Sequence, residues 1–105
     1  KNYELVAQKT GKYILSFDSN SNPNIQSACG AGTERGFVVI ELNDEGAMVG
    51  SSIYFIESCW KGIGLEGEVE DEEGEFRYIS KDYKTSGLTI FHLNVNTVQF
   101  YLGGD

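Results

Sequence analysis

The side chains with the most evident chemistry lie in one short run. Between positions 66 and 75 the acidic residues are Glu66, Glu68, Glu70, Asp71, Glu72, Glu73 and Glu75. Side chains on a strand alternate between faces, so Glu66, Glu68 and Glu70 are expected on one face and Ile63, Leu65 and Val69 on the other. Carboxylates fanned along a strand do not converge on a cation, so no metal is expected there. Two uses remain. One is a docking surface for a basic protein partner, because a patch of single sign steers and speeds encounter. The plainer one is a solvated hairpin whose charge maintains solubility and discourages edge pairing.

The other candidates are single residues. Trp60 follows Cys59 at the end of an apolar run and is either an interface anchor or a core ring packed beside a disulfide. His92 is the one histidine; a proton-transfer role needs partners that the sequence does not supply nearby, so a partly buried, hydrogen-bonded ring is expected. Asp18-Ser19-Asn20-Ser21-Asn22-Pro23-Asn24 echoes the alternating oxygens of a calcium loop. Pro23 stands where such a loop needs glycine and Cys29 where it needs a bidentate carboxylate, so a plain Asx-rich loop is the better reading. Nucleophile elbows, zinc-protease helices and phosphate-binding glycine loops are all missing from the chain. No catalytic residue, cofactor or metal is therefore assigned, and the protein is expected not to be an enzyme.

Two cysteines, Cys29 and Cys59, cannot build a four-ligand zinc site with His92 alone. A bridge between them would close a loop of about 30 residues, worth roughly 3–4 kcal/mol in the chain-entropy account. That bridge, and a first residue that is Lys1 and not Met, point to export to a periplasm or cell surface. Free thiols in a cytoplasmic protein are the alternative.

These groups must be positioned by strands. Helical periodicity is almost absent, while two-residue alternation recurs throughout. Eight strands are predicted, over 3–8, 12–18, 36–42, 47–57, 62–70, 75–80, 87–93 and 97–102. Asn43-Asp44-Glu45-Gly46 and Asp71-Glu72-Glu73-Gly74 share one turn chemistry, Asx to open a type I turn and Gly to leave it at positive φ, and both suit four-residue hairpin loops. A four-residue loop at 71–74 would pair Val69 with Phe76, Gly67 with Tyr78 and Glu68 with Arg77, leaving Glu70 opposite Glu75. A three-residue loop would set Val69 against Arg77, which the apolar pattern disfavours. A three-residue turn at Asn94-Val95-Asn96 would align Leu88, Ile90 and His92 with Leu102, Phe100 and Val98. Residues 19–35 read as a long loop rich in Asn, Ser and Gly.

The expected fold is a single all-β domain over 1–105, an up-and-down antiparallel barrel of about eight strands, with a β-sandwich as the alternative. Gly62, Gly64 and Gly67 suit its curvature. Gly11-Lys12-Tyr13 resembles the Gly-x-Trp opening of lipocalin-like barrels, with Tyr13 standing in for Trp. The resemblance covers three residues and names no family; separately, a barrel of about eight strands has an interior that holds one small ligand or is filled by side chains. The overall profile also looks like that of exported bacterial lipoprotein domains and barrel-type inhibitors.

Whole-chain charge narrows the partners. Sixteen acidic against eight basic residues give a net charge of -8. That balance argues against nucleic acid, which needs clustered Lys and Arg. No apolar run approaches the roughly 20 residues of a membrane-spanning helix. The reading carried forward is an exported, non-enzymatic domain that binds a protein through the acidic hairpin, the 19–35 loop and Trp60. Carriage of a small apolar ligand, or inhibition of a basic enzyme, is the alternative.

Overall fold

The computed structural model describes residues 2–20, 32–71 and 73–103. The expected eight strands are all present: β1 (Asn2–Lys9), β2 (Lys12–Asn20), β3 (Thr33–Leu42), β4 (Met48–Ser58), β5 (Ile63–Glu70), β6 (Glu75–Asp82), β7 (Leu88–Asn94) and β8 (Gln99–Gly103). They form one antiparallel sheet in sequential order, β1 to β8, with no helix among the described residues. β2 runs on to Asn20 and β3 begins at Thr33, so both strands reach into the stretch expected as loop.

The sheet is not closed. Among the described residues β1 pairs with β2 alone and β8 with β7 alone. Between β4 and β5 the ladder shrinks to one pair, Ser58 with Ile63. Competing hydrogen bonds explain the break. The Ser80 hydroxyl of β6 donates to the Ile56 carbonyl of β4 at 2.6 Å, bypassing β5. The carboxylate of Glu34 accepts the Ser58 hydroxyl, the Cys59 N–H at 2.9 Å and the Trp60 N–H at 3.4 Å. The chain at this corner is thus satisfied by side chains, and the sheet folds there into two leaves, β1–β4 and β5–β8.

The leaves face each other across a ring-rich core. Ile14, Phe37 and Ile56 come from the first leaf, and Tyr78, Phe91, Leu93, Val98 and Phe100 from the second half of the chain. Phe37 packs on Tyr78 and Phe100 with ring centroids 5.2 and 4.9 Å apart, and Tyr54 lies 4.9 Å from Phe100. Such tilted ring pairs contribute about 0.5–1.5 kcal/mol each beyond their buried area.

Two registers differ from the sequence expectation. In the β5–β6 hairpin Val69 lies opposite Arg77, Glu68 opposite Tyr78 and Glu70 opposite Phe76. This is the three-residue register that apolar matching disfavoured, and the like-charge pairing of Glu70 with Glu75 does not occur. Hydrogen bonding decides the matter. Asp71 N–H donates to the Glu75 carbonyl at 2.9 Å, and Asp71 Oδ1 accepts the N–H groups of Glu73 and Glu75 at 2.8 and 3.1 Å. Gly74 leaves the turn at φ 81°. The Asn43 turn repeats the arrangement, with Asn43 N–H on the Ala47 carbonyl and Gly46 at φ 83°. The Gly46 N–H donates to the Asn43 carbonyl at 2.9 Å, as in a type I turn, and a left-handed glycine closes both connections, which suits loops of three residues and not four.

The β7–β8 hairpin errs the other way. Leu93 pairs with Phe100, His92 with Tyr101 and Phe91 with Leu102, leaving a four-residue connection, 95–98. Asn94 Oδ1 accepts the N–H groups of Asn96 and Thr97 at 2.9 and 3.0 Å, which carries the turn one residue further.

Candidate functional site

The acidic run does not form one face. A bulge in β5 between Leu65 and Gly67 inserts Glu66, and beyond it the simple alternation expected from sequence is lost. Val69, expected to be inward, is 41% exposed. Glu66 and Glu70 are exposed, as is Glu73 in the turn. Asp71 spends its carboxylate on the turn itself, and Glu75 accepts the Asn94 side-chain amide at 3.1 Å. Glu72 lies outside the described residues.

Glu68 is exposed as well and also meets a cation. Opposite Tyr78, it sits on the side of β5 that looks toward the first leaf, where its carboxylate comes within 3.9 Å of the Arg35 guanidinium. Glu57 approaches the same guanidinium at 3.7 Å. Both separations exceed hydrogen-bond length, so these are loose ion pairs. Sequence reading missed Arg35 altogether, because its neighbours come from β4 and β5, more than 20 positions downstream.

Beside this ion cluster the leaves part into an open groove of about 350 Å3. Glu4 and Val6 of β1, Ser16 of β2, and Arg35 and Phe37 of β3 form one wall. Phe76, Tyr78, Leu93 and Val95 form the other. Tyr78 registers the electrostatics: its phenol is pushed up to about 12, first by burial, then by the Glu68 carboxylate, with Arg35 opposing and Glu70 adding to the rise. The groove thus combines an aromatic and aliphatic floor with carboxylates at its rim.

The remaining candidates fall elsewhere. Trp60 is 60% exposed in the β4–β5 turn. The acidic turn lies at the far end of eight-residue β5, about 26 Å away at strand rise, so the two are not brought together. His92 faces outward, stacked on Tyr101 at 4.8 Å and 7° between planes, and pairs in register with Tyr101 where Val98 was expected. Among the described residues no cysteine is free; Cys59 is disulfide-bonded and does not titrate. Cys29 and positions 21–31 lie outside the described residues, as does most of the Asx-rich segment. Asp18 accepts a bond from the Asn2 amide at 3.2 Å. The described residues contain no cluster of three or more His, Cys, Asp or Glu able to hold a metal. They also contain no helix long and apolar enough to cross a membrane.

Comparison with family models, with curated proteins and with solved structures finds no match to this chain.

Proposed function

We propose that this chain is an exported, non-enzymatic binding domain that recognises a basic protein partner, with Cys29 and Cys59 bridged. The observation that carries the reading is the groove between the leaves. Around it Glu4, Glu57, Glu68 and Glu70 oppose one cation, Arg35, beside a floor of buried and half-buried apolar and aromatic groups. Long-range attraction from the net charge of -8 would steer a basic protein, and the apolar floor would retain it. Carriage of an apolar ligand in the interior has less support, because the rings of Phe37, Tyr54, Tyr78, Phe91 and Phe100 occupy that space.

The reading is tested by charge reversal. A variant carrying Glu66→Lys, Glu68→Lys and Glu70→Lys is compared with the wild type for binding a lysine-rich peptide, with circular dichroism confirming the fold. Removing three attractive carboxylates should slow association by at least about tenfold at low salt and flatten its salt dependence. Unchanged association would overturn the reading. Intact mass after alkylation without reduction tests the bridge: no adduct is expected, and two adducts would refute it.

A further inference from the structure

We propose that the groove between the leaves receives a single long cationic side chain, lysine or arginine, from an extended segment of the partner laid along β1. The inference rests on the binding-domain reading and adds the chemistry of the occupant.

Three observations converge on a cation with an aliphatic stem. The first is the floor. Phe37, Phe76 and Tyr78 line the groove with rings, Phe76 half-buried and the other two largely covered, and an aromatic ring attracts an ammonium or guanidinium. Val6, Leu93 and Val95 offer the apolar wall along which a four-carbon stem lies. The second is charge. By register Glu68 and Glu70 sit opposite Tyr78 and Phe76, on the groove side of β5, and Glu4 is on the facing wall. Arg35 offsets one of these carboxylates and is already approached by Glu57. An anionic head would be repelled here, and a neutral ligand would leave the carboxylates unused.

The third observation is independent of charge and concerns the backbone. β1 is an edge strand that pairs with β2 alone among the described residues, and it supplies the rim residues Glu4 and Val6. A row of unpaired peptide groups beside a groove is the template on which an extended peptide adds a strand. Alternate side chains of the added strand then point to the leaf interior, where the groove opens.

The test uses two capped nonapeptides of equal charge. One alternates lysine with threonine; the other replaces lysine by diaminopropionic acid, whose ammonium stands on a single methylene. Binding is followed by calorimetry and by the aromatic proton resonances of Phe37, Phe76 and Tyr78. The lysine peptide should bind about tenfold more tightly and shift those rings, because its stem reaches the floor. Arg35→Gln gives a signature of opposite sign to ordinary damage: removing the competing cation should tighten the lysine peptide about threefold. Equal affinities with unmoved rings, or weaker binding to Arg35→Gln, would overturn the groove while leaving charge-led recognition intact. Failure of both peptides to bind at low salt would overturn the binding-domain reading and this inference together.

Discussion

Val98 is held in a conformation that its side chain resists. It is β-branched, sits at φ 54° in the left-handed region and is 2% exposed in the core. The backbone there favours glycine, by about 1–2 kcal/mol over an L-residue. Burial of the side chain favours valine, by about 1.5–3 kcal/mol. Two substitutions separate these terms. Val98→Ala loses most of the burial and keeps the strain, whereas Val98→Gly loses the burial and relieves it. The usual order of Ala over Gly should therefore reverse, with the glycine variant more stable by about 1 kcal/mol in urea denaturation. An alanine variant as stable as the glycine one would show that the left-handed turn costs nothing here. Sequence alone gave no access to this residue, since Val98 reads as an ordinary strand valine. The acidic residues were legible because their type and run length are local facts. Their division into Glu66 at the bulge, turn-bound Asp71, and Glu68 and Glu70 on the groove side of β5 depends on one bulge and on contacts from β3.

At the scale of elements, the strands were legible and the loop lengths were not. Alternation marks a strand whatever its partner, so all eight appear close to their expected bounds. Register was inferred by matching apolar residues across each hairpin, but Asx side chains that each capture two backbone N–H groups decide where these turns close. The two similar turns also differ in surroundings, which allows a test. A Cβ at Gly46 meets nothing within 4 Å, so Gly46→Ala reports the cost of φ 83° alone, about 1 kcal/mol. At Gly74 a Cβ would lie 2.9 Å from Asn96 Nδ2 and 3.0 Å from Val95 Cγ2. That turn is docked against the β7–β8 connection, since Val95 N–H donates to the Gly74 carbonyl at 3.0 Å and the Asn96 amide to the Glu73 carbonyl at 2.6 Å. Gly74→Ala should therefore cost more than Gly46→Ala, by about 1 kcal/mol or above, in thermal or urea unfolding. Equal losses would mean that the two turns at this end move independently.

Over the whole molecule, one excess of charge acts on folding and on recognition with opposite signs. Sixteen acidic residues against eight basic ones repel one another in the compact state. The ion pairs on Arg35 are loose, at 3.7 and 3.9 Å, and partly exposed, so salt has little attraction to remove from them. Nothing in the sequence placed Arg35 between two leaves, because the fold at the β4–β5 corner rests on Glu34 and Ser80, whose partners are 24 to 26 positions away. Raising ionic strength from about 10 mM to about 150 mM shortens the screening length from roughly 30 to 8 Å. Repulsion spread over a molecule 46 Å long is then largely screened, and Tm should rise by a few degrees. Attraction between separate molecules is screened over the same range, so affinity for a basic peptide should fall as Tm rises. A Tm that falls together with affinity would show that attractive pairs within the fold outweigh its repulsion, and that the acidic surface is already neutralised from within. Movement in opposite directions leaves the carboxylates around the groove as charge that the fold tolerates and a basic partner would neutralise.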